Sequence, residues 1–139
     1  LAGVHVGSVL TVSHRWMHPV VADIDGVQLK AILEHLRKHP EIKLVWVDYS
    51  CMPQGHKSRL LQADFVRMIK QVNLLYLGTS VLILLDISYP SRFWTQFECW
   101  LSMQQTTTGQ LRRATGNERR EAIVTIYQGT ETLARMLEE

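Results

Sequence analysis

Between Arg92 and Trp100 the chain reads RFWTQFECW, which sets an arginine, a carboxylate, a thiol and four aromatic rings within nine positions. At about 100° per residue, Phe93, Phe97 and Trp100 centre on one direction of a helix, with Trp94 and Glu98 together on its flank. A carboxylate held beside aromatic rings is partly desolvated. Burial then raises its pKa and leaves an anion that is poorly solvated and able to meet a positive centre. The plainer reading makes Glu98 an exposed helix residue paired with an arginine. Three more polar clusters stand just after apolar runs: Ser13, His14, Arg15 and Trp16; Asp48, Tyr49, Ser50 and Cys51; and Asp86, Ser88 and Tyr89.

The runs that precede these clusters decide whether they can meet. SVLTV (8–12), KLVWV (43–47), SVLILLDI (80–87) and EAIVTIY (121–127) are rich in Val, Ile and Leu without polar alternation, the mark of strands buried on both faces. Between them the period becomes helical. Leu29, Ile32, Leu33 and Leu36 mark a helix from Gln28, with Asp25 and Gln28 as a capping box and His39-Pro40 as its end. Leu61, Phe65, Met68, Ile69, Val72, Leu75 and Tyr76 mark a second helix over 59–77, ended by Gly78. A third covers about 92–105, with Phe93, Phe97, Trp100 and Leu101 on one side, and a weaker fourth comes after Gly129. Trp46 and Trp100 are assigned to the core.

Alternating strands and helices specify an α/β fold, a flavodoxin-like three-layer α/β/α sandwich around an open, mainly parallel sheet of four to five strands. In such a sheet ligands bind outside the carboxyl ends of the strands, where the polar clusters fall. The segment from Gln105 to Arg120, with two glycines and a run of threonines, reads as a mobile loop, and its arginines as a solvated surface. LAGVHVG at the start is either a ragged end or an extra edge strand.

Composition narrows the class. The chain has 139 residues, 46% hydrophobic and 20% charged, which suits one domain over 1–139 that buries about two-thirds of its unfolded surface. A formal charge of +2 gives no nucleic-acid signal. No apolar run reaches the ~20 residues of a membrane span. Residues 1–12 lack the pattern of a signal peptide. Two cysteines make no disulfide framework, and the histidines are too scattered for a metal centre, so a reducing, cytoplasmic setting is expected, with no metal. A start at Leu1 suggests a domain excised from a larger protein. Asp23, Asp25 and Gly26 lack the length and further acidic ligands of a calcium loop, and helix capping accounts for them better.

Four stretches in this order resemble a TIR domain and equally its fungal relative, the heterokaryon-incompatibility (HET) domain. They are TVSHRW at the first strand end, VWVDYSCMPQG at the second, LYLGTSVLILLDISYPS into the third, and the helix with Trp94 four residues before Glu98. The HET-like elements are W-x-D-x-x-C-x-x-Q (Trp46, Asp48, Cys51, Gln54) and R-x-W-T-x-x-E (Arg92, Trp94, Thr95, Glu98). The similarity covers about residues 8–127. It departs from the TIR pattern S-x-W-C-x-x-E, because Ser91 stands one residue further from Trp94 and Thr95 replaces the cysteine.

The resemblance implies hydrolysis of the nicotinamide–ribose bond of NAD+, taken as substrate with no further cofactor, in immune or cell-death-type signalling activated by self-association. Glu98 takes the place of the catalytic carboxylate. Ser13, His14, Arg15, Trp16, Asp48, Cys51 and Trp94 are the expected substrate-binding residues, with Trp94 or Trp16 stacking on a flat ring and Arg15 meeting the pyrophosphate. Two alternatives remain. Cys51 with His14 is the outline of a cysteine-nucleophile hydrolase. The second is a non-catalytic adaptor, in which SCMPQGHKSR after the second strand is a contact loop.

Overall fold

Strand β3 (Thr79–Leu85) is buried along almost its whole length, and its side chains divide the core in two. Because successive residues of a strand point to opposite faces, Val81, Ile83 and Leu85 enter one cluster with Tyr76, Tyr89, Cys99 and Leu101. Leu82 and Leu84 enter the other with Leu10, Val12 and Ala31. A computed structural model describes residues 5–56 and 58–138 of the chain. The expectation for LAGVHVG falls partly outside them, but His5 already belongs to β1 (His5–Ser13).

Four parallel strands lie in the order β2 (Leu44–Trp46), β1, β3, β6 (Glu121–Thr125). Helix α1 (Val27–Lys38) covers one face. On the other lie α4 (Asn73–Gly78), α5 (Phe93–Ser102) and α6 (Glu131–Glu138), which supply Tyr76, Cys99 and Ala134 to the first cluster. This is the flavodoxin-like three-layer α/β/α arrangement, with four strands in the main sheet. The strand order reverses between β1 and β3, so the crevice beyond their carboxyl ends is the topological switch point where α/β sheets bind ligands.

Several elements differ from their sequence expectation. Strand β2 is three residues long and lies at the sheet edge, with Leu44 65% exposed, because α3 (Arg59–Gln71) buries none of its residues fully and leaves that margin open. The helix expected over 59–77 is broken at Val72 into α3 and α4. The helical N-cap before α1 is Gly26 in the left-handed conformation. No capping box forms there. Asp23 accepts from the N–H groups of Gln28 (3.1 Å) and Leu29 (2.8 Å), while Asp25 accepts from that of Val27 (3.3 Å).

The segment expected to be a mobile loop is a hairpin, β4 (Gln104–Thr107) paired antiparallel with β5 (Gln110–Arg113) around Gly109 at positive φ. Its arginines are tied down. Arg112 pairs with Glu118 at 2.5 Å, and Arg119 with Glu121 and Glu138 at 2.6 Å each. Arg120 is buried and donates to the carbonyls of Tyr76, Thr79, Leu101 and Gln104. A cation at the carboxyl ends of α4 and α5 satisfies orphan carbonyls and complements both helix dipoles.

The aromatic face of α5 turns outward at its two ends, while Phe97 between them is partly buried against the core. Phe93, Phe97 and Trp100 stack in a ladder with centroids 5.9 and 6.0 Å apart, and Phe93 is 69% and Trp100 48% exposed, which corrects the assignment of Trp100 to the core. Small side chains face inward instead: Thr95, Cys99 and Ser102, at i, i+4 and i+7, are buried and let α5 approach the large rings of Tyr89 and Tyr76. Trp46 is partly buried and packs against the core edge-on to Tyr76, centroids 6.3 Å apart.

Candidate active site at the switch point

Strand alternation sends Thr11 and Ser13 of β1 toward α5, opposite to Leu10 and Val12. Ser13 Oγ therefore reaches Glu98 Oε2 at 2.6 Å and the Tyr89 hydroxyl at 2.6 Å. It is wholly buried and stands behind the carboxylate rather than in the open cavity. Glu98 faces a cavity of about 360 Å³, lined also by His14, Arg15, Trp16, Asp48, Arg92 and Trp94. That volume lies in the range of small-molecule sites.

Burial of the Glu98 carboxyl raises its pKa to about 7, against hydrogen bonds from Ser13 and Tyr76 that favour the anion. Negative charge on Asp48 adds to the rise, and His14 opposes it. At neutral pH the group titrates between acid and carboxylate. Tyr76, buried between this carboxylate and the core, has its hydroxyl pKa pushed further up by the same desolvation.

His14 and Trp16 are organised by two residues. Gln28 donates its amide N–H groups to the carbonyls of Arg15 (3.0 Å) and Ala22 (3.3 Å), so its Oε1 is left to accept from His14 Nδ1 at 2.6 Å. His14 Nε2 faces Asp48 Oδ1 at 2.8 Å. With an acceptor at each ring nitrogen, the imidazolium is favoured. Burial alone lowers the His14 pKa, but the hydrogen bond and charge of Asp48, with Gln28, outweigh it and raise the value. Asp48 also accepts from Trp16 Nε1 (3.0 and 3.1 Å) and from the Tyr49 N–H (2.6 Å), fixing the indole against the Tyr49 ring. Asp48 is the first residue of the turn α2 (Asp48–Cys51), whose N-cap is Val47 with no side-chain cap, and its carboxylate serves to orient the site.

The structure thus brings together His14, Arg15, Trp16, Asp48, Trp94 and Glu98. It does not bring Cys51, which is exposed and outside the cavity lining, where Met52 takes the wall. Its substrate-binding role and a Cys51–His14 nucleophile pair lose their geometric basis. Arg15 lines the cavity but is held by Asp86, with both Nε and Nη2 2.7 Å from one carboxylate oxygen. Trp94 stands at the mouth, 65% exposed. Sequence reasoning missed Gln28, Tyr76, Asn73 and Arg92 as site residues. The first two are silent in sequence because their partners are up to 22 positions away and chosen by the fold. Arg92 was visible as part of the same motif as Glu98.

Among the described residues no cluster of His, Cys, Asp and Glu could hold a metal ion, and no helix is long and apolar enough to cross a membrane. No family model, curated protein sequence or solved structure matches the chain.

Proposed function

We propose that the chain is an NAD+ glycohydrolase of TIR type, with Glu98 as its catalytic carboxylate. The observation that carries this reading is the Glu98 carboxyl, raised to about 7 by burial, in a cavity that also presents Trp16, Trp46 and Trp94 and whose other carboxylate, Asp48, is already engaged by His14, Trp16 and the Tyr49 N–H. Cleavage of an O-glycoside ordinarily uses two carboxyl groups, because the leaving oxygen needs a proton. Nicotinamide does not. The C1′–N bond breaks with its electron pair passing to the ring nitrogen, so a pyridinium leaves as a neutral molecule. Water then adds to C1′ and releases a proton.

One anion suffices to stabilise the positive charge that develops at C1′ and to accept from the ribose hydroxyls. Trp16, fixed by Asp48, and Trp94, at the mouth, offer flat faces for the base. The resemblance of the strand-end and α5 motifs to TIR and HET domains points the same way. Incubation of the protein with NAD+ and chromatography of the products, beside Glu98→Ala, tests the assignment. Nicotinamide release lost in the variant with the melting temperature within a few degrees is the expected result; equal release rejects it.

Phe93 and Trp100, the exposed ends of the aromatic ladder on α5, favour a second role, a contact surface for self-association or for an adaptor partner. A specific rate that rises with protein concentration ties assembly to catalysis, and a flat one separates them. Phe93→Ser, at the exposed end of the ladder, with unchanged sedimentation removes the ladder from assembly.

A further inference from the structure

The cations that face the cavity are not equivalent. His14 is engaged by Asp48 at 2.8 Å and Gln28 at 2.6 Å, and Arg15 by Asp86 at 2.7 Å. Each of these positive charges already has a negative partner that an incoming anion would have to displace; for Arg15 that leaves the buried Asp86 without its cation, and for His14 it breaks the contact with the partly exposed Asp48. Arg92 differs. Its guanidinium makes no hydrogen bond or ion pair with a described residue, and the side chain is exposed where it lines the cavity. Only its backbone is engaged, through the Arg92 N–H to Tyr89 and the Arg92 carbonyl to Gln96 and Thr95. The extended conformation at Arg92, φ −111° and ψ 127°, ends one turn and begins α5, so the side chain departs from the helix that carries Glu98.

We infer that Arg92, and not Arg15, is the anion-holding residue of this site and selects pyridinium nucleotides that carry phosphate over nucleosides that do not. The inference rests on the glycohydrolase reading for the identity of the base, but the phosphate contact stands apart from the chemistry at C1′. Arg92 and Glu98 are six residues apart along one element, about 9 Å at the helical rise. A ribose and its 5′-phosphate bridge that separation once the arginine arm is added. A guanidinium presents paired donors that match phosphate oxygens, which a single ammonium does not. Charge accounting agrees: with His14 against Asp48 and Arg15 against Asp86, the lining keeps one unpartnered cation beside the titrating Glu98.

The test has a catalytic and a binding arm, each on wild type, Arg92→Ala and Arg92→Lys. In the first, kcat/KM is measured on NAD+ and on nicotinamide riboside, which lacks phosphate. Arg92→Ala is expected to lower the NAD+ value about 10–100-fold, the range of one charge-assisted hydrogen-bonded contact, and the riboside value less than twofold. Arg92→Lys falls between. Equal losses on both substrates overturn the proposal, since they mark a structural role.

In the second arm, binding of inorganic pyrophosphate is measured by calorimetry at low and high salt. Weakening by Arg92→Ala and by salt supports the assignment. Pyrophosphate that fails to bind the wild type, or binds the variant equally, overturns it. If the wild type turns over neither substrate, the glycohydrolase reading fails, and the pyrophosphate arm still decides the role of Arg92.

Discussion

Two cavities share Trp46 and Val72 as a common wall. The larger, about 530 Å³, is lined by Met68, Leu75, Leu77 and their neighbours, with His5 as its one ionisable group. The smaller, about 360 Å³, gathers His14, Arg15, Asp48, Arg92 and Glu98 at the carboxyl ends of β1 and β3. The larger volume lies beside α3, which buries none of its residues fully, whereas the polar groups are gathered by strand direction. Parallel strands deliver every strand-end loop to the same rim, and the loops carry the polar residues. The place where polar groups gather in this fold is therefore set by topology and not by the amount of empty space.

Substitutions on the two sides of the wall should separate accordingly. Glu98→Gln has the largest expected effect, a loss of about 10²–10³ in kcat, the scale of removing one electrostatic contact to the transition state. The same variant should be more stable than wild type at pH 8 and not at pH 5. A carboxyl whose pKa is raised to about 7 keeps its proton in the folded state while the unfolded chain loses it above about 4.5, so its contribution falls as pH rises through that window. Melting curves at the two pH values check this. For the same reason nicotinamide release should climb through about pH 7 to a plateau, since the anion is the working form.

Trp46→Ala merges the two cavities and removes the edge-on contact to Tyr76, at a cost of about 2–3 kcal/mol by denaturant titration, below that of a fully buried tryptophan. Tyr76→Phe removes a hydrogen bond that favours the Glu98 anion, so the rising limb of the rate profile should move to higher pH while the plateau changes little. The smallest effect belongs to the larger cavity. Gly78→Val, where an added Cβ meets nothing within 4 Å, should leave turnover within twofold; a greater loss would make the apolar side part of the site.

Much of this molecule was legible before folding. The uninterrupted apolar run of β3 announced a strand buried on both faces, and two opposed clusters receive its alternate side chains. The strand-end positions of His14, Arg15, Trp16 and Asp48, and the place of Glu98 on the flank of an aromatic helix, were equally readable, and one cavity holds all five. The expectations that failed have a common cause. Trp100 was expected in the core, yet it is 48% exposed, and Thr95, Cys99, Leu101 and Ser102 of α5 are the residues that face inward, beside Tyr76 and Tyr89. Threonines and arginines over 105–120 predicted a loop, yet a two-stranded ladder and ion pairs, to Glu118 within the segment and to Glu138 beyond it, order it.

Strand and helix periods were written in the chain itself, and with them the parallel sheet and the rim to which its polar strand ends are carried. Local periodicity records the burial of each segment, which is a property of neighbours within a few residues. Which charges cancel was settled by the fold. Arg15 is matched by Asp86, 71 positions away, Glu98 is held by Ser13, 85 positions away, and Arg92 is left open. Pairing energies depend on distances across the tertiary structure, and no spacing along the chain encodes them.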